Sequence, residues 1–126
     1  VHHHGDRALP SGFVIAAQSL GADVDTLHHA VLQALWRDDR DVGDRAELAA
    51  IAREVGIDPE PLLAIALSDS VQAEFARNTA EAMERGVFGS PTYIVDGDMF
   101  YGQDRLMMVE RALTQPFRPP GPPPKW

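Results

Sequence analysis

A chain of 126 residues, 44% apolar and with a formal charge of -8, is long enough to enclose one hydrophobic core and too acidic to neutralise a phosphate backbone. Nucleic acid is therefore excluded as a partner. The absence of cysteine removes disulfides, thiolate metal sites, a cysteine nucleophile and a CxxC redox pair, so any sulfur nucleophile has to arrive with a ligand.

No apolar run reaches the roughly 20 residues that span a bilayer. The start also lacks the basic, apolar, small-residue order of a signal peptide. No membrane association is expected, and the default location is cytoplasmic. Residues 1–7, which begin Val1, His2, His3, His4 and Gly5, read as a tag remnant, a cleaved start or native sequence and are set aside as a disordered start.

Residues 8–86 are expected to form a helical domain. After Pro10, Ser11 and Gly12, the apolar run Phe13 to Leu20 closes at Gly21 as a short helix. Asp23 is positioned to cap a second, in which Leu27, Val31 and Leu35 recur every four residues and Leu32 and Trp36 widen the stripe. Asp44 and Glu47 have the spacing of a capping box ahead of Leu48, Ile51, Ala52 and Val55, and Gly56 ends that helix. Asp58 and Pro59 supply an N-cap and first-turn proline for a buried segment from Leu62 to Leu67. Ser68 or Asp69 restarts the chain into a helix with Val71, Phe75, Ala82 and Met83 inward, stopped by Gly86.

Residues 87–115 change character. Thr92 to Val95 and Met99 to Tyr101 are strand formers separated by Asp96 and Gly97, the chemistry of a two-residue type I′ hairpin turn. Leu106, Val109, Ala112 and Leu113 then make one face of a last helix. Pro116 ends it, and residues 116–126 read as an extended, partly disordered proline-rich tail. The fold class expected is α+β, mostly α.

The run Gly86, Val87, Phe88, Gly89, Ser90, Pro91, Thr92, with Met99, Phe100, Tyr101, Gly102, Gln103, Asp104, Arg105 and Leu106, resembles the C-terminal part of the 2-hydroxychromene-2-carboxylate isomerases, relatives of DsbA-like proteins and kappa-class glutathione transferases. The likeness extends more weakly upstream through Ala34, Leu35 and Trp36, the acidic loop Asp38 to Asp44, and Gly56, Ile57 and Asp58. It implies a helical insertion domain followed by the hairpin and last helix of a truncated thioredoxin-like fold. No strand, helix, strand pattern precedes the helical region, so the first βαβ part is expected to be missing.

The resemblance implies a cis bond before Pro91, presenting the Ser90 N–H and C=O to a peptide-like ligand; spacing alone equally allows Ser90 and Pro91 simply to start a strand. It also implies that Gln103 and Asp104 bind the γ-glutamyl end of glutathione, helped by free N–H groups at a helix start. By spacing alone, either residue caps the last helix. In the resembling isomerases the glutathione thiolate adds to an unsaturated pyruvate, permits rotation and is expelled. The group that stabilises that thiolate has no counterpart here, and Ser11 and Ser19 are not convincing substitutes. No catalytic residue is therefore assigned. Glutathione is the implied cofactor, an aromatic-derived small molecule the implied substrate, and full activity by the chain alone is not expected.

His28 and His29 are adjacent and point about 100° apart on a helix, unlike the i, i+4 pair a metal requires. No metal site is assigned. The aspartates from Asp38 to Asp44 lack EF-hand spacing, and Trp36, Phe75, Phe88 and Tyr93 read as core aromatics. The resemblance implies that Thr92 to Val95 pairs with a strand of the first half, so an edge left open there implies a homodimer or an N-terminal partner fragment. A non-catalytic self-associating module and one fragment of a split enzyme are the competing readings.

Overall fold

The computed structural model describes residues 5–117, so the histidine run and most of the proline-rich tail lie outside the described residues. The fold is α+β and mostly α: α1 (Ala8–Ser19), α2 (Val24–Trp36), α3 (Arg45–Glu54), α4 (Pro59–Ile65), α5 (Asp69–Glu84), β1 (Thr92–Val95), β2 (Asp98–Tyr101) and α6 (Leu106–Thr114). The chain divides into one compact unit up to Glu81 and a second from Ala82.

In the first unit, aspartates start three helices because a short carboxylate reaches back to N–H groups that have no partner in the first turn. Asp23 accepts from the Thr26 N–H at 3.1 Å, Asp44 from Ala46 and Glu47 at 2.8 and 2.9 Å, and Asp58 from Glu60 at 3.1 Å. The capping box at Asp44 is only half made. Glu47 turns its carboxylate to Arg40 at 2.7 Å instead of back to the cap.

α1 begins five residues before the expected Phe13. Pro10 sits in the first turn, where a missing N–H leaves no bond unmade, and the Ala8 N–H finds the Asp6 carboxylate at 3.0 Å. α1 packs on α2 and α4, and α3 on α2 and α4. Their shared interior holds Phe13, Leu27, Leu48 and Ile51, each almost fully removed from water. Burial of such side chains contributes on the order of 2 kcal/mol each.

Several residues expected inside are outside. Trp36 is 67% exposed, Leu67 56% and Met83 67%, and Leu32 is also exposed. The core closes on α1 to α4 and the first turn of α5, where Val71 is the one buried residue of that helix. One turn on, Phe75 is half-buried, and residues 76–81 of α5 are exposed.

In the second unit, β1 and β2 form a two-stranded antiparallel sheet with Thr92 opposite Tyr101, Tyr93 opposite Phe100, Ile94 opposite Met99 and Val95 opposite Asp98. The turn between them has positive φ at both Asp96 (49°) and Gly97 (87°), the signature of type I′. α6 packs on β1. It buries Ala112 and half-buries Val109, but Leu106 and Leu113 of the expected inner face are 52% and 70% exposed.

Candidate functional site

The site at the open end of the hairpin is assembled by local chemistry. α5 ends where Gly86 takes φ 77° and the Val87 N–H reaches back to the Ala82 carbonyl at 2.9 Å, a Schellman stop that needs a residue without Cβ. Three residues later the Thr92 hydroxyl donates to the Gly89 carbonyl at 2.6 Å and closes the turn over Ser90 and Pro91. The Ser90–Pro91 peptide is cis.

The hairpin register then brings the second motif to the first. The Gly102 N–H donates to the Pro91 carbonyl at 2.9 Å, one step beyond the Thr92 and Tyr101 pair. Pro91 has no N–H with which to return the bond. Gly102 itself holds φ 105° and ψ 146°, and the Arg105 N–H bonds its carbonyl at 3.1 Å to start a short 3-10 turn over Gln103–Arg105 that runs into α6.

Ser90, Gln103 and Asp104 are therefore grouped at one end of the sheet. Ser90 is exposed, and among the described residues nothing hydrogen-bonds to its N–H, carbonyl or hydroxyl. Gln103 and Asp104 are exposed too, and neither the 3-10 turn nor α6 has a side-chain cap. The capping role allowed by spacing for Gln103 or Asp104 is thus not taken. Their side chains and the N–H groups of both residues have no partner among the described residues. An exposed carboxylate beside unpaired main-chain donors and acceptors suits a zwitterionic peptide-like ligand, which brings both an ammonium and carboxylates.

Two aromatic residues border the same corner. Phe88, expected in the core, is 73% exposed, and its ring centroid lies 4.9 Å from that of Tyr101 at an interplanar angle of 54°. The alternation of β2 separates this pair from Phe100, which is buried on the other face against Phe117 at 5.9 Å. The Arg111 guanidinium covers Phe117 at 4.4 Å. Sequence reading missed the Phe88 and Tyr101 pair because the contact crosses the hairpin. The usable signal was Gly89 between Phe88 and Ser90, a residue small enough to admit a ring.

The first unit has a separate groove of about 520 Å³ whose lining includes Val14, Val31, Leu35, Trp36, Arg7 and His28, and none of the four motif residues. His28 and His29 are both exposed. Among the described residues no group of three or more histidines and carboxylates is placed to hold a metal, and no helix is long and apolar enough to cross a membrane.

A model of the DSBA-like thioredoxin domain matches residues 8–114. A 2-hydroxychromene-2-carboxylate isomerase of Sphingobium xenophagum is 36% identical over 84 residues, covering 67% of this chain and 43% of the relative. A protein of the same name from Pseudomonas putida is 28% identical over 111 residues, covering 88% and 54%. Glutathione s-transferase kappa 2 of Caenorhabditis elegans is 27% identical over 123 residues, covering 89% and 53%. The chain spans about half the length of the curated relatives it matches. Because the domain match runs unbroken from α1 through the hairpin to α6, the chain belongs to the DSBA-like thioredoxin domain family, alongside proteins named as 2-hydroxychromene-2-carboxylate isomerases and as a kappa-class glutathione transferase.

Proposed function

We propose that residues 87–115 carry the rear part of a glutathione site, at Ser90, Pro91, Gln103 and Asp104, belonging to an isomerase that acts on an aromatic-derived substrate such as the 2-hydroxychromene-2-carboxylate named for its relatives. The bond from the Gly102 N–H to the Pro91 carbonyl carries this reading, because it sets the open Ser90 main chain and the uncapped Asp104 carboxylate at one corner. Glutathione main chain pairs with Ser90 in the manner of an added strand, its γ-glutamyl ammonium meets Asp104, and its α-carboxylate takes the N–H groups of Gln103 and Asp104.

The chain holds the thiol without activating it. A thiolate is stabilised by free donors at a helix start, and in residues 8–86, the helical domain, the starts of α2, α3 and α4 are filled by Asp23, Asp44 and Asp58. We read activity by residues 8–114 alone as impaired, with the thiolate's donor belonging to a βαβ segment outside them. A cytoplasmic location fits this use, since glutathione is kept reduced there.

Titration of the 15N-labelled protein with glutathione tests the reading. Chemical-shift changes at Ser90, Gln103 and Asp104 are expected, and their absence at millimolar glutathione sinks it.

A second reading has its own support. In the observed register, Thr92 and Ile94 belong to the pairs whose main-chain groups point away from the partner strand, so the outer edge of β1 is unpaired among the described residues. That edge suits a second copy of the chain, as a self-associating module without catalysis, or the remaining part of a split enzyme. Light scattering that returns a stable monomer at high micromolar concentration removes the homodimer.

A further inference from the structure

We infer that Asp96 is a modification site, where the main chain isomerises through a cyclic imide to isoaspartate and leaves a carboxylate that a carboxyl methyltransferase recognises. The site lies at the tip of the hairpin and is independent of what the opposite end binds.

Three observations carry it. Asp96 is the only aspartate of the chain followed by glycine, so no side chain shields the Gly97 nitrogen from the carboxyl carbon beside it. Both reacting groups are accessible, since Asp96 and Gly97 are exposed and a Cβ built on Gly97 would have no atom within 4 Å. They are also unengaged: among the described residues neither the Asp96 carboxyl nor the Gly97 N–H has a hydrogen-bond partner.

Asp39 is the internal contrast. It shares the left-handed backbone of Asp96, with φ 51° against 49°, but the nitrogen that follows it belongs to Arg40 and donates to the Ala34 carbonyl at 2.9 Å. A nitrogen held in that bond is not free to attack.

In the reaction the Gly97 amide nitrogen forms a bond to Cγ of Asp96, and the amide proton and the carboxyl hydroxyl leave together as water. Hydrolysis of the imide takes one water back, so no oxidant, reductant or co-reactant is needed. Opening on the Cγ side restores aspartate. Opening on the other side leaves the chain running through Cβ and Cγ, with the former main-chain carbonyl carbon carried as a free carboxylate. The two groups meet when the turn opens, and a sheet of two strands, each of four residues, opens at its tip at little cost. The product does not fit the turn it came from. A type I′ turn closes with two residues of ordinary main-chain length, and isoaspartate adds a methylene, so the Val95 and Asp98 pair beside the turn loses its register.

Prolonged incubation of the full chain in neutral buffer at physiological temperature tests the inference. Electron-transfer fragmentation locates isoaspartate, and an isoaspartyl carboxyl methyltransferase with labelled S-adenosylmethionine titrates the new carboxylate. Isoaspartate and methyl incorporation are expected to accumulate together at residue 96 and not at Asp39, and the modified fraction to lose the cross-strand NMR contacts of Val95 with Asp98. Asp96→Asn keeps the turn, because Asn-Gly is a preferred type I′ pair. It passes through the same imide with loss of ammonia, so residue 96 of that variant is expected to gain about 1 Da. A chain without isoaspartate at residue 96, or with as much at Asp39, overturns the inference. So does isoaspartate that accepts no methyl group, a modified fraction that keeps the Val95 and Asp98 contacts, or an Asp96→Asn protein of unchanged mass.

Discussion

Gly12 approaches Ala66 so closely that a Cβ at position 12 would lie 2.0 Å from the Ala66 carbonyl oxygen and 2.9 Å from its carbon. This contact seats α1 on the end of α4. Gln72 completes it by donating its side-chain amide to the carbonyls of Ala66 at 2.8 Å and Ala8 at 3.1 Å. Because the obstruction at Gly12 is backbone, a methyl group has to push the two helices apart, and Gly12→Ala is expected to cost about 3 kcal/mol. Gln72→Leu, which strips both carbonyls of their donor, is expected to cost about 1–2 kcal/mol. Both appear as a lower denaturant midpoint at unchanged slope. The double variant should lose less than the sum, since the residues share one contact. A Gly12→Ala protein with the parental midpoint would contradict the close approach.

The cap at Asp23 makes part of the stability depend on pH. The Thr26 N–H, first, and then the Thr26 hydroxyl hold the Asp23 carboxyl below the usual carboxylate range. A value lowered by folding means that the stabilisation is full above the unfolded value of about 4 and is lost as pH falls through the folded one. Asp23→Ala should therefore lower the Tm at neutral pH, with a gap from the parent that closes on acidification below about pH 4. Asp23→Asn keeps an acceptor for the Thr26 N–H and should remove that pH-dependent share while preserving most of the neutral-pH stability. Melting curves across the acid range check this, and a gap of constant size from neutral to acid would count against the cap.

Arg40 ties the acidic loop to α3. Its guanidinium reaches Glu47 at 2.7 Å and Glu54 at 3.0 and 3.1 Å, two carboxylates seven residues apart on one helix face. The Arg40 side chain is 24% exposed, but its partners are 42% and 59% exposed, so solvent screens much of the attraction. Arg40→Ala is expected to cost about 1 kcal/mol at low salt and less in about 1 M salt. Arg40→Lys should recover only part of that, because an ammonium cannot engage two carboxylates with a planar fork. Denaturant midpoints at the two salt concentrations measure both effects, and an Arg40→Ala cost that grows with salt would oppose the assignment.

How far the structure was legible in the sequence depended on the range of the interaction involved. Asp23, Asp44 and Asp58 were recognisable as caps because each needs only N–H groups two or three residues away. The Asp96 and Gly97 turn was recognisable for the same reason, and it sets the register that brings Gly102 to Pro91. The start of α1 was misread because Pro10, Ser11 and Gly12 have the composition of a loop, while the demand for glycine comes from Ala66, far along the chain. Trp36 and Phe88 were assigned to the interior from residue type and Met83 from helical spacing, yet burial depends on what packs against a position, and all three are more than 60% exposed. The individual motifs at Ser90 and Asp104 could be seen in one dimension. The aromatic pair beside them could not, since it exists only once the hairpin has closed.

Variants at Gly102 and Asp104 would separate the proposed glutathione binding from folding at the hairpin corner. Gly102 occupies φ 105° with ψ 146°, a region that essentially only glycine adopts, and a Cβ there would lie 2.6 Å from Asp104 Oδ1. Gly102→Ala is thus expected to cost about 1–3 kcal/mol through backbone strain and also to displace the carboxylate. Asp104→Asn touches no cap and should leave stability within about 0.5 kcal/mol of the parent. If the carboxylate receives the ligand ammonium, that same quiet substitution should weaken glutathione at least about tenfold, the effect expected for losing a charge-assisted hydrogen bond. Calorimetric titration beside thermal melts resolves the two roles: Gly102→Ala should lose both stability and affinity, Asp104→Asn affinity alone. An Asp104→Asn protein that binds glutathione like the parent would move the ammonium away from this carboxylate, whatever the melts record.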